Sequence, residues 1–237
     1  MNRCLFLDFD GVLFDTLKEA YIICRYSYSG VDYFEPIDEG EYERFYRYKF
    51  LVYNSWHYYY IMTLLKENLS DDEFVSKYNN FLNNRDLEAE KIFDEKYYSA
   101  RKDLMENHHE FWDRLETPFP FFECVKQIVS EGNFDVVIVS KKNKKAIMYR
   151  LNQHGLTLSE DKIYGRDELL KYDTKAEFIE EYMGLNNVAL GYFVDDNSNN
   201  LDPCEDNPNI ISLLAGWGNV AIGQVGLTPE EITEVLG

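Results

Sequence analysis

The sequence predicts an α/β protein with a Rossmann-like, doubly wound parallel sheet and an all-helical segment inserted after the first strand. Short apolar runs alternate with helical periodicity from about residue 118 to 237, as in a parallel sheet with crossover helices. Residues 16–117 instead contain most of the 19 tyrosines, a single proline and helical spacing of apolar side chains. We therefore predict a core formed by residues 1–15 and 118–237, and a helical cap formed by residues 16–117.

The composition narrows the class of protein. A chain of 237 residues can bury one core with a sizeable insertion. Its formal net charge of −19 opposes binding to nucleic acid, because that affinity comes mainly from Lys and Arg on phosphates. No run of about 18 apolar residues indicates a membrane span, and the first motif begins too soon after Met1 for a secretory or transit peptide. We therefore expect a cytoplasmic protein with no nucleic-acid partner and no membrane partner.

The predicted N-terminal strand ends in two carboxylates. Residues 5–7 form an apolar run that predicts a buried parallel strand. Asp8 and Asp10 follow two residues apart, so their side chains point the same way while the chain stays extended. Like charges about 4 Å apart repel by roughly 4 kcal/mol at an effective dielectric near 20, so the pair favours a cation or a shared proton. Gly11 allows the backbone to turn sharply after them.

Helical periodicity divides the insertion into four predicted helices. Ser70, followed by Glu73 three residues later, forms a capping box that marks the start of the third helix. Around Tyr42, Tyr46 and Tyr53, apolar side chains recur at three- and four-residue spacing, as an amphipathic helix requires. The predicted helices cover about residues 16–28, 39–67, 71–83 and 87–115.

Capping residues and apolar runs define the elements of the second half. Thr174 and Glu177 form a capping box that opens one helix. Thr228 and Glu231 form another, which opens the last helix. The predicted strands lie at residues 135–139, about 163, 188–194 and 209–214. The predicted helices lie at about residues 120–130, 143–154, 174–184 and onward from 228.

Polar residues follow two of these strands. In an open α/β sheet, the functional site lies beyond the carboxyl ends of the strands. The strand at 135–139 leads into Ser140, whose hydroxyl and neighbouring backbone N–H groups can hold phosphate oxygens. The strand at 188–194 leads into Asp195 and Asp196. We expect these groups to meet the carboxylates of the first strand at one edge of the sheet.

One lysine occupies a helix position that does not favour helix stability. Lys175 is in the first turn of a predicted helix, where a cation opposes the helix dipole. A functional role explains this position better, with Lys171 as the alternative cation. An ammonium group there can offset the charge of a nearby nucleophile and hold a phosphoryl group.

These residues resemble the four motifs of the haloacid dehalogenase-like (HAD) hydrolase superfamily. The segment Asp8-Phe9-Asp10-Gly11-Val12 is similar to motif I, D-x-D-G-T/V. Ser140, at the end of a strand, resembles motif II, and Lys175, at the start of a helix, resembles motif III. Asp195 and Asp196, at the end of another strand, resemble the acidic pair of motif IV. The resemblance covers residues 1–16 and about 118–237. An insertion between motifs I and II is a C1-type cap, similar to that of the phosphoglycolate phosphatase-like subgroup.

The resemblance implies a role for each motif residue. Asp8 would attack phosphorus and form an aspartyl-phosphate. Asp10 would protonate the leaving oxygen and then activate water. Ser140 and Lys175 would hold the phosphoryl group. The implied cofactor is Mg²⁺, with the ligands Asp8, the backbone carbonyl of Asp10, and Asp196 supported by Asp195.

The acidic pair leaves two alignments open. If Asp196 takes the leading position of the family pattern G-D-x-x-x-D, Asn200 stands where a second aspartate often occurs. We therefore favour Asp196 over Asp195 as the metal ligand. The presence of Asp10 distinguishes a phosphatase from the dehalogenase branch, which typically lacks this acid.

The predicted function is that of a Mg²⁺-dependent HAD phosphatase acting on a small phosphorylated metabolite. A phosphomutase of the same fold is one alternative, separated by whether water or a second substrate hydroxyl accepts the phosphoryl group. A non-catalytic acidic interaction protein is another. The presence of all four charged motif positions argues against that second alternative.

Overall fold

The computed structural model describes residues 2–237 of the chain. Its strands are β1 (Arg3–Leu7), β2 (Phe14–Asp15), β3 (Thr117–Pro118), β4 (Asp135–Val139), β5 (Ile163–Tyr164), β6 (Leu190–Asp195) and β7 (Ile210–Leu214). Its helices are α1 (Leu17–Ser29), α2 (Glu39–Arg47), α3 (His57–Leu64), α4 (Asp71–Asn83), α5 (Leu87–Asn107), α6 (His109–Asp113), α7 (Phe121–Glu131), α8 (Lys144–Gln153), α9 (Arg166–Leu169), α10 (Lys175–Asn186), α11 (Ser198–Leu201) and α12 (Pro229–Leu236). Short 3₁₀ turns occupy Lys49–Leu51, Glu160–Lys162 and Asp202–Cys204.

The residues divide into two compact units. One contains residues 2–15 and 117–237, and the other contains residues 16–116. In the first unit, a five-stranded sheet has the order β5-β4-β1-β6-β7, and every strand pair is parallel. This arrangement, with helices on both faces, confirms the predicted fold class.

Alternating side chains bury both faces of the sheet. Leu5 and Leu7 of β1 belong to an apolar cluster with residues of α7, α8 and α12. Phe6, between them, belongs to a second cluster, which includes residues of α10. Since successive strand residues point to opposite faces, β1 needs apolar side chains at each of its four buried positions, residues 4–7. Leu7 pairs with Ile138 on one side and with Val194 on the other, so the central strand ends level with its neighbours.

A short antiparallel strand pair marks the point where the chain leaves and re-enters this unit. Phe14 of β2 pairs antiparallel with Pro118 of β3. The backbone N–H of Gly11 donates to the Phe14 carbonyl at 2.8 Å. Gly11 has a φ of +84°, which is the sharp turn expected after the first strand. The insertion therefore begins and ends beside the residues that follow β1.

The helical unit contains more breaks than predicted. The helix predicted over 39–67 is wrong as a single element, because α2 ends at Arg47 and α3 begins at His57. Val52 is extended, with a ψ of 116°, and the Tyr78 hydroxyl donates to the Leu51 carbonyl at 2.7 Å. This tertiary hydrogen bond satisfies a carbonyl group that a continuous helix would have used.

The helix predicted over 87–115 also divides. Its break falls at His108, whose backbone is non-helical, with a φ of −134° and a ψ of 36°. The His108 ring lies 5.2 Å from the ring of Phe34 and 6.1 Å from that of Tyr33. These aromatic contacts accompany the turn between α5 and α6. Among residues 2–237, none of the helices combines the length and apolar character needed to cross a membrane.

Candidate active site

Asp8 lies immediately after β1 and is almost fully buried, with 8% of its surface exposed. Its backbone N–H donates to the Val194 carbonyl at 3.0 Å, which continues the parallel ladder past the end of the strand. Its Oδ1 accepts from the Phe9 backbone N–H at 2.7 Å, and its Oδ2 lies 2.9 Å from Nζ of Lys175. Burial, opposed by Lys175, raises the pKa of Asp8 to about 7.

Lys175 is the first residue of α10 and is buried. The Thr174 hydroxyl accepts from the Glu177 backbone N–H and caps the helix, but the predicted capping box is incomplete, because the Glu177 side chain accepts from the Asp173 backbone N–H and not from that of Thr174. The ammonium of Lys175 contacts Asp195 at 2.7 Å as well as Asp8. Burial would lower its pKa, but the two carboxylates outweigh burial and raise the pKa above its ordinary value. The alternative cation, Lys171, is exposed and lies over the ring of Tyr172.

Asp195 ends β6 and is fully buried. Besides the contact with Lys175, its Oδ1 accepts from the backbone N–H of Asn197 at 2.9 Å. The amide nitrogen of Asn200 donates to both of its oxygens, at 3.0 and 3.1 Å. An aspartate at 200 would instead face Asp195 with a second carboxylate. The amide at this position therefore stabilises the buried charge of Asp195.

Asp196 lies beside the turn formed by Gly11. Its Oδ2 accepts from the backbone N–H of Asn219 at 2.7 Å and from the side-chain amide of the same residue at 2.6 Å. A Cβ atom at Gly11 would lie 1.9 Å from that oxygen. A Cβ atom at Gly218 would lie 2.3 Å from the Gly11 carbonyl oxygen and 2.4 Å from Cβ of Asp196. Two glycines are therefore required for Asp196 to reach the end of β1.

Asp10 has a different partner from Asp8. Its Oδ1 lies 3.1 Å from Nζ of Lys142, a lysine whose side chain is fully buried, whereas the Asp10 side chain is 30% exposed. Sequence reasoning missed Lys142 and Asn219 as site residues. The tandem lysines directly after β4 were a visible signal for the first, but nothing in the sequence links Asn219 to Asp196.

Ser140 directly follows β4 and is buried, with 2% of its surface exposed. Its backbone N–H donates to the Tyr164 carbonyl at 3.0 Å, which extends the pairing between β4 and β5. Its hydroxyl oxygen accepts from the Lys142 backbone N–H at 3.4 Å. The serine hydroxyl and the acidic residues thus follow neighbouring strands β4, β1 and β6, at the same edge of the sheet.

Three of the carboxylates form a group with the chemistry of a divalent-cation site. Asp8, Asp195 and Asp196 each offer an oxygen, and these oxygens lie within 4.8 Å of one another. Mg²⁺ prefers oxygen ligands at about 2.0–2.1 Å in octahedral geometry, which places opposite ligands about 4 Å apart. Lys175 offsets only part of the negative charge. The three carboxylates therefore fit the ligand preference of Mg²⁺. The Asp10 side chain is not part of this group and contacts Lys142 instead.

The chain shares its fold, a parallel sheet with a helical insertion after β1, with solved structures that include a haloacid dehalogenase-like hydrolase. Three solved structures with this fold are similar to the chain. A predicted phosphoglycolate phosphatase from Haemophilus somnus 129PT has 12% sequence identity and a TM-score of 0.61, and the alignment covers 98% of this chain and 92% of that chain. A haloacid dehalogenase-like family hydrolase from Streptococcus pneumoniae has 15% identity and a TM-score of 0.53, with 100% and 99% covered. A predicted phosphatase from Clostridium acetobutylicum has 16% identity and a TM-score of 0.55, with 100% and 90% covered.

At these identities the likeness establishes the fold, and the predicted resemblance is confirmed at that level. No protein-family model matches the chain, and neither does any curated protein sequence. The roles of individual residues therefore depend on the geometry of the site.

Proposed function

We propose that this protein is a Mg²⁺-dependent phosphatase that hydrolyses a small phosphorylated metabolite through an aspartyl-phosphate intermediate. One observation carries the proposal: the buried carboxylate of Asp8 contacts Lys175 beside the carboxylates of Asp195 and Asp196. A carboxylate can approach a phosphate dianion only where cations offset the combined negative charge. The names of the similar solved proteins, phosphatase and hydrolase, support the same reaction.

Asp8 and Asp10 would divide the reaction between them. Asp8 attacks phosphorus while the bond from phosphorus to the leaving oxygen breaks, and Asp10 gives that oxygen its proton. Asp10 then accepts a proton from the water that attacks phosphorus of the aspartyl-phosphate. The P–O bond to Asp8 breaks, and inorganic phosphate leaves. One water is consumed for each alcohol and phosphate released.

Ser140 and Lys175 would position the transferred group. The Ser140 hydroxyl can donate to a phosphoryl oxygen, and the Lys175 ammonium can bind another while it offsets the charge of Asp8. Asp8, the backbone carbonyl of Asp10 and Asp196 would hold Mg²⁺, with Asp195 in support. When bound, the metal neutralises charge that develops on the phosphoryl oxygens.

We further propose that the helical unit, residues 16–116, acts as a cap that restricts the substrate to small monoesters. The chain enters this unit after β2 and leaves it before β3, next to the residues that follow β1. The formal net charge of −19 would repel a polyanion such as nucleic acid more strongly than a compact phosphate accompanied by Mg²⁺. A cytoplasmic location remains our prediction from the sequence.

The test is a panel of sugar, acid and nucleotide monophosphates assayed with Mg²⁺, using the wild-type protein and the Asp8→Asn variant. Release of inorganic phosphate from at least one small monoester, lost in Asp8→Asn, is expected. Asp206→Asn, a change at an exposed position, is the matched control and should retain activity. Transfer to a second substrate hydroxyl without phosphate release would favour a phosphomutase. Substantial activity in Asp8→Asn would contradict the proposed nucleophile.

A further inference from the structure

The two buried lysines of the site contact different carboxylates. Lys175 contacts Asp8 and Asp195, whereas Lys142 contacts Asp10 at 3.1 Å. The Lys142 side chain has no exposed surface, which is unusual for lysine because a buried ammonium is costly unless it is paired. We therefore ask what the pairing of this buried ammonium with Asp10 does at the site.

The backbone of Lys142 is held from two directions. Its carbonyl accepts from the Arg166 backbone N–H at 2.9 Å, and its N–H donates to the Ser140 hydroxyl oxygen at 3.4 Å. A Cβ atom at Gly165 would lie 2.9 Å from that same carbonyl oxygen and 2.7 Å from the backbone nitrogen of Lys144. The turn after β4 is therefore packed against Gly165 with no room for a side chain, and this packing fixes the origin of the Lys142 side chain.

The far end of Lys142 lies against a rigid apolar surface. Its ammonium is 5.5 Å from the centroid of the Phe9 ring, which is fully buried and stacked on Phe14 at 4.7 Å. Asp10, by contrast, is partly exposed. A partly exposed carboxyl group has several rotamers within reach, and a hydrogen bond from the fixed Lys142 ammonium, which Asp10 can accept whether or not it carries a proton, selects one of them.

We propose that Lys142 is a positioning residue that holds the Asp10 carboxylate where it can reach the leaving-group oxygen. This inference rests on the proposed phosphatase function. Lys142 acts through Asp10 and transfers no proton itself. Its removal should therefore impair protonation of the leaving group and leave the attack by Asp8 in place.

This role has a kinetic signature that depends on the leaving group. An alkyl monoester such as glycerol phosphate needs its leaving oxygen protonated, whereas nitrophenolate leaves with little help from an acid. We expect Lys142→Met to lower kcat/KM for the alkyl ester by about 10²-fold, the loss typical of a misplaced reacting group. The loss for nitrophenyl phosphate should be several-fold smaller. A purely structural role would lower both rates by the same factor.

The experiment compares the wild type with Lys142→Met, Asp10→Asn and the double variant on both esters. Lys171→Met is the control, because that lysine is exposed and lies outside the site, so the ratio of the two rates should stay at its wild-type value. In the Asp10→Asn background, Lys142→Met should have little further effect on the alkyl ester. A crystal structure of Lys142→Met should also reveal the Asp10 carboxylate displaced from its present position.

Equal losses on the two esters, or full additivity with Asp10→Asn, would overturn the role of Lys142. If thermal unfolding reveals that Lys142→Met does not fold, the ratio of the two rates is measured in Lys142→Gln, where the same loss of preference is expected. A wild-type protein that hydrolyses neither these esters nor any other monoester would instead reject the proposed phosphatase function. An active wild type with losses independent of the leaving group would reject only the inference about Lys142.

Discussion

Nζ of Lys175 lies 2.9 Å from Oδ2 of Asp8 and 2.7 Å from Oδ2 of Asp195, so one ammonium bridges carboxylates at the ends of adjacent strands β1 and β6. All three groups are buried, and the opposite charges stabilise one another in place of water. Removing one member of such a group leaves an uncompensated buried charge, which is more damaging than removing the whole group.

Lys175→Met should therefore reduce both activity and stability. Without the ammonium, Asp8 and Asp195 repel each other, and a phosphate dianion loses one of the cations that would offset its charge. We expect a free energy of unfolding lower by about 3–5 kcal/mol, as for other broken buried pairs. Urea denaturation measures this loss, and Lys171→Met, at an exposed position outside the site, should change it by less than about 0.5 kcal/mol. Equal stability of the two variants would contradict the buried bridge.

Gly11→Ala should be strongly destabilising. A Cβ atom at Gly11 would lie 1.9 Å from Oδ2 of Asp196, and its φ of +84° strains any other residue. Gly184→Ala is the matched control, because that glycine lies within α10 and a Cβ atom there would meet nothing within 4 Å. The control should gain about 0.4–1 kcal/mol. Thermal unfolding of the two variants should therefore shift in opposite directions, and a shift of the same sign would count against this account of the turn.

Glu90 in the helical unit should contribute stability that depends on pH. Its side chain is 5% exposed and accepts hydrogen bonds from Arg85 and from the Tyr60 hydroxyl. Burial raises the pKa of Glu90, but these hydrogen bonds outweigh it and bring the pKa below the ordinary value of 4.5. The folded state thus favours the ionised form. This contribution is present above about pH 4.5 and is lost as the pH falls through the lowered pKa.

Glu90→Gln should accordingly lower the free energy of unfolding at pH 7 by about 1–3 kcal/mol, with a smaller effect in acid. Glu95→Gln is the matched control, because Glu95 is 68% exposed and lies 4.0 Å from Lys91 in a surface pair. Such pairs contribute about 0–1 kcal/mol. Urea denaturation at several pH values distinguishes the two variants. A pH-independent loss in Glu90→Gln would contradict the ionised role.

The sequence was sufficient for the core because its signals are local. An apolar run that ends in D-x-D-G fixes both the strand and the turn, and the structure has Gly11 at positive φ where the motif requires it. Parallel pairing then brings the ends of β1, β4 and β6 to one edge, so Asp8, Ser140 and Asp195 follow adjacent strands.

The missed features depend on contacts between distant residues. Lys141 and Lys142 are adjacent lysines in the sequence, but only Lys142 is buried, in a turn that packs against Gly165. The break between α2 and α3 likewise depends on the hydrogen bond from Tyr78 to the Leu51 carbonyl. Helical periodicity continues from α2 into α3, since it records which residues are apolar and not which partners they meet.

Asp196, more than Asp195, should control the affinity for Mg²⁺. Both belong to the acidic group with Asp8 and both accept hydrogen bonds, but one donor to Asp195 is the Lys175 ammonium, whereas the two donors from Asn219 to Asp196 are neutral. The Asp195 carboxylate therefore stabilises the ammonium of Lys175. To bind a metal directly it would have to give up hydrogen bonds, which costs free energy. We therefore expect Asp196→Asn to weaken Mg²⁺ binding by at least tenfold, about 1.4 kcal/mol, and Asp195→Asn to weaken it less.

Calorimetric titration with Mg²⁺ in the absence of substrate measures both affinities without reference to activity. Thermal unfolding of the same samples separates the two roles, because Asp195→Asn removes a partner of Lys175 and should lower the melting temperature more than Asp196→Asn does. Asp206→Asn, at an exposed position, should change neither quantity. Weaker Mg²⁺ binding in Asp195→Asn than in Asp196→Asn would move the metal ligand one residue toward the N-terminus, and with it the alignment that places Asn200 at the second acidic position.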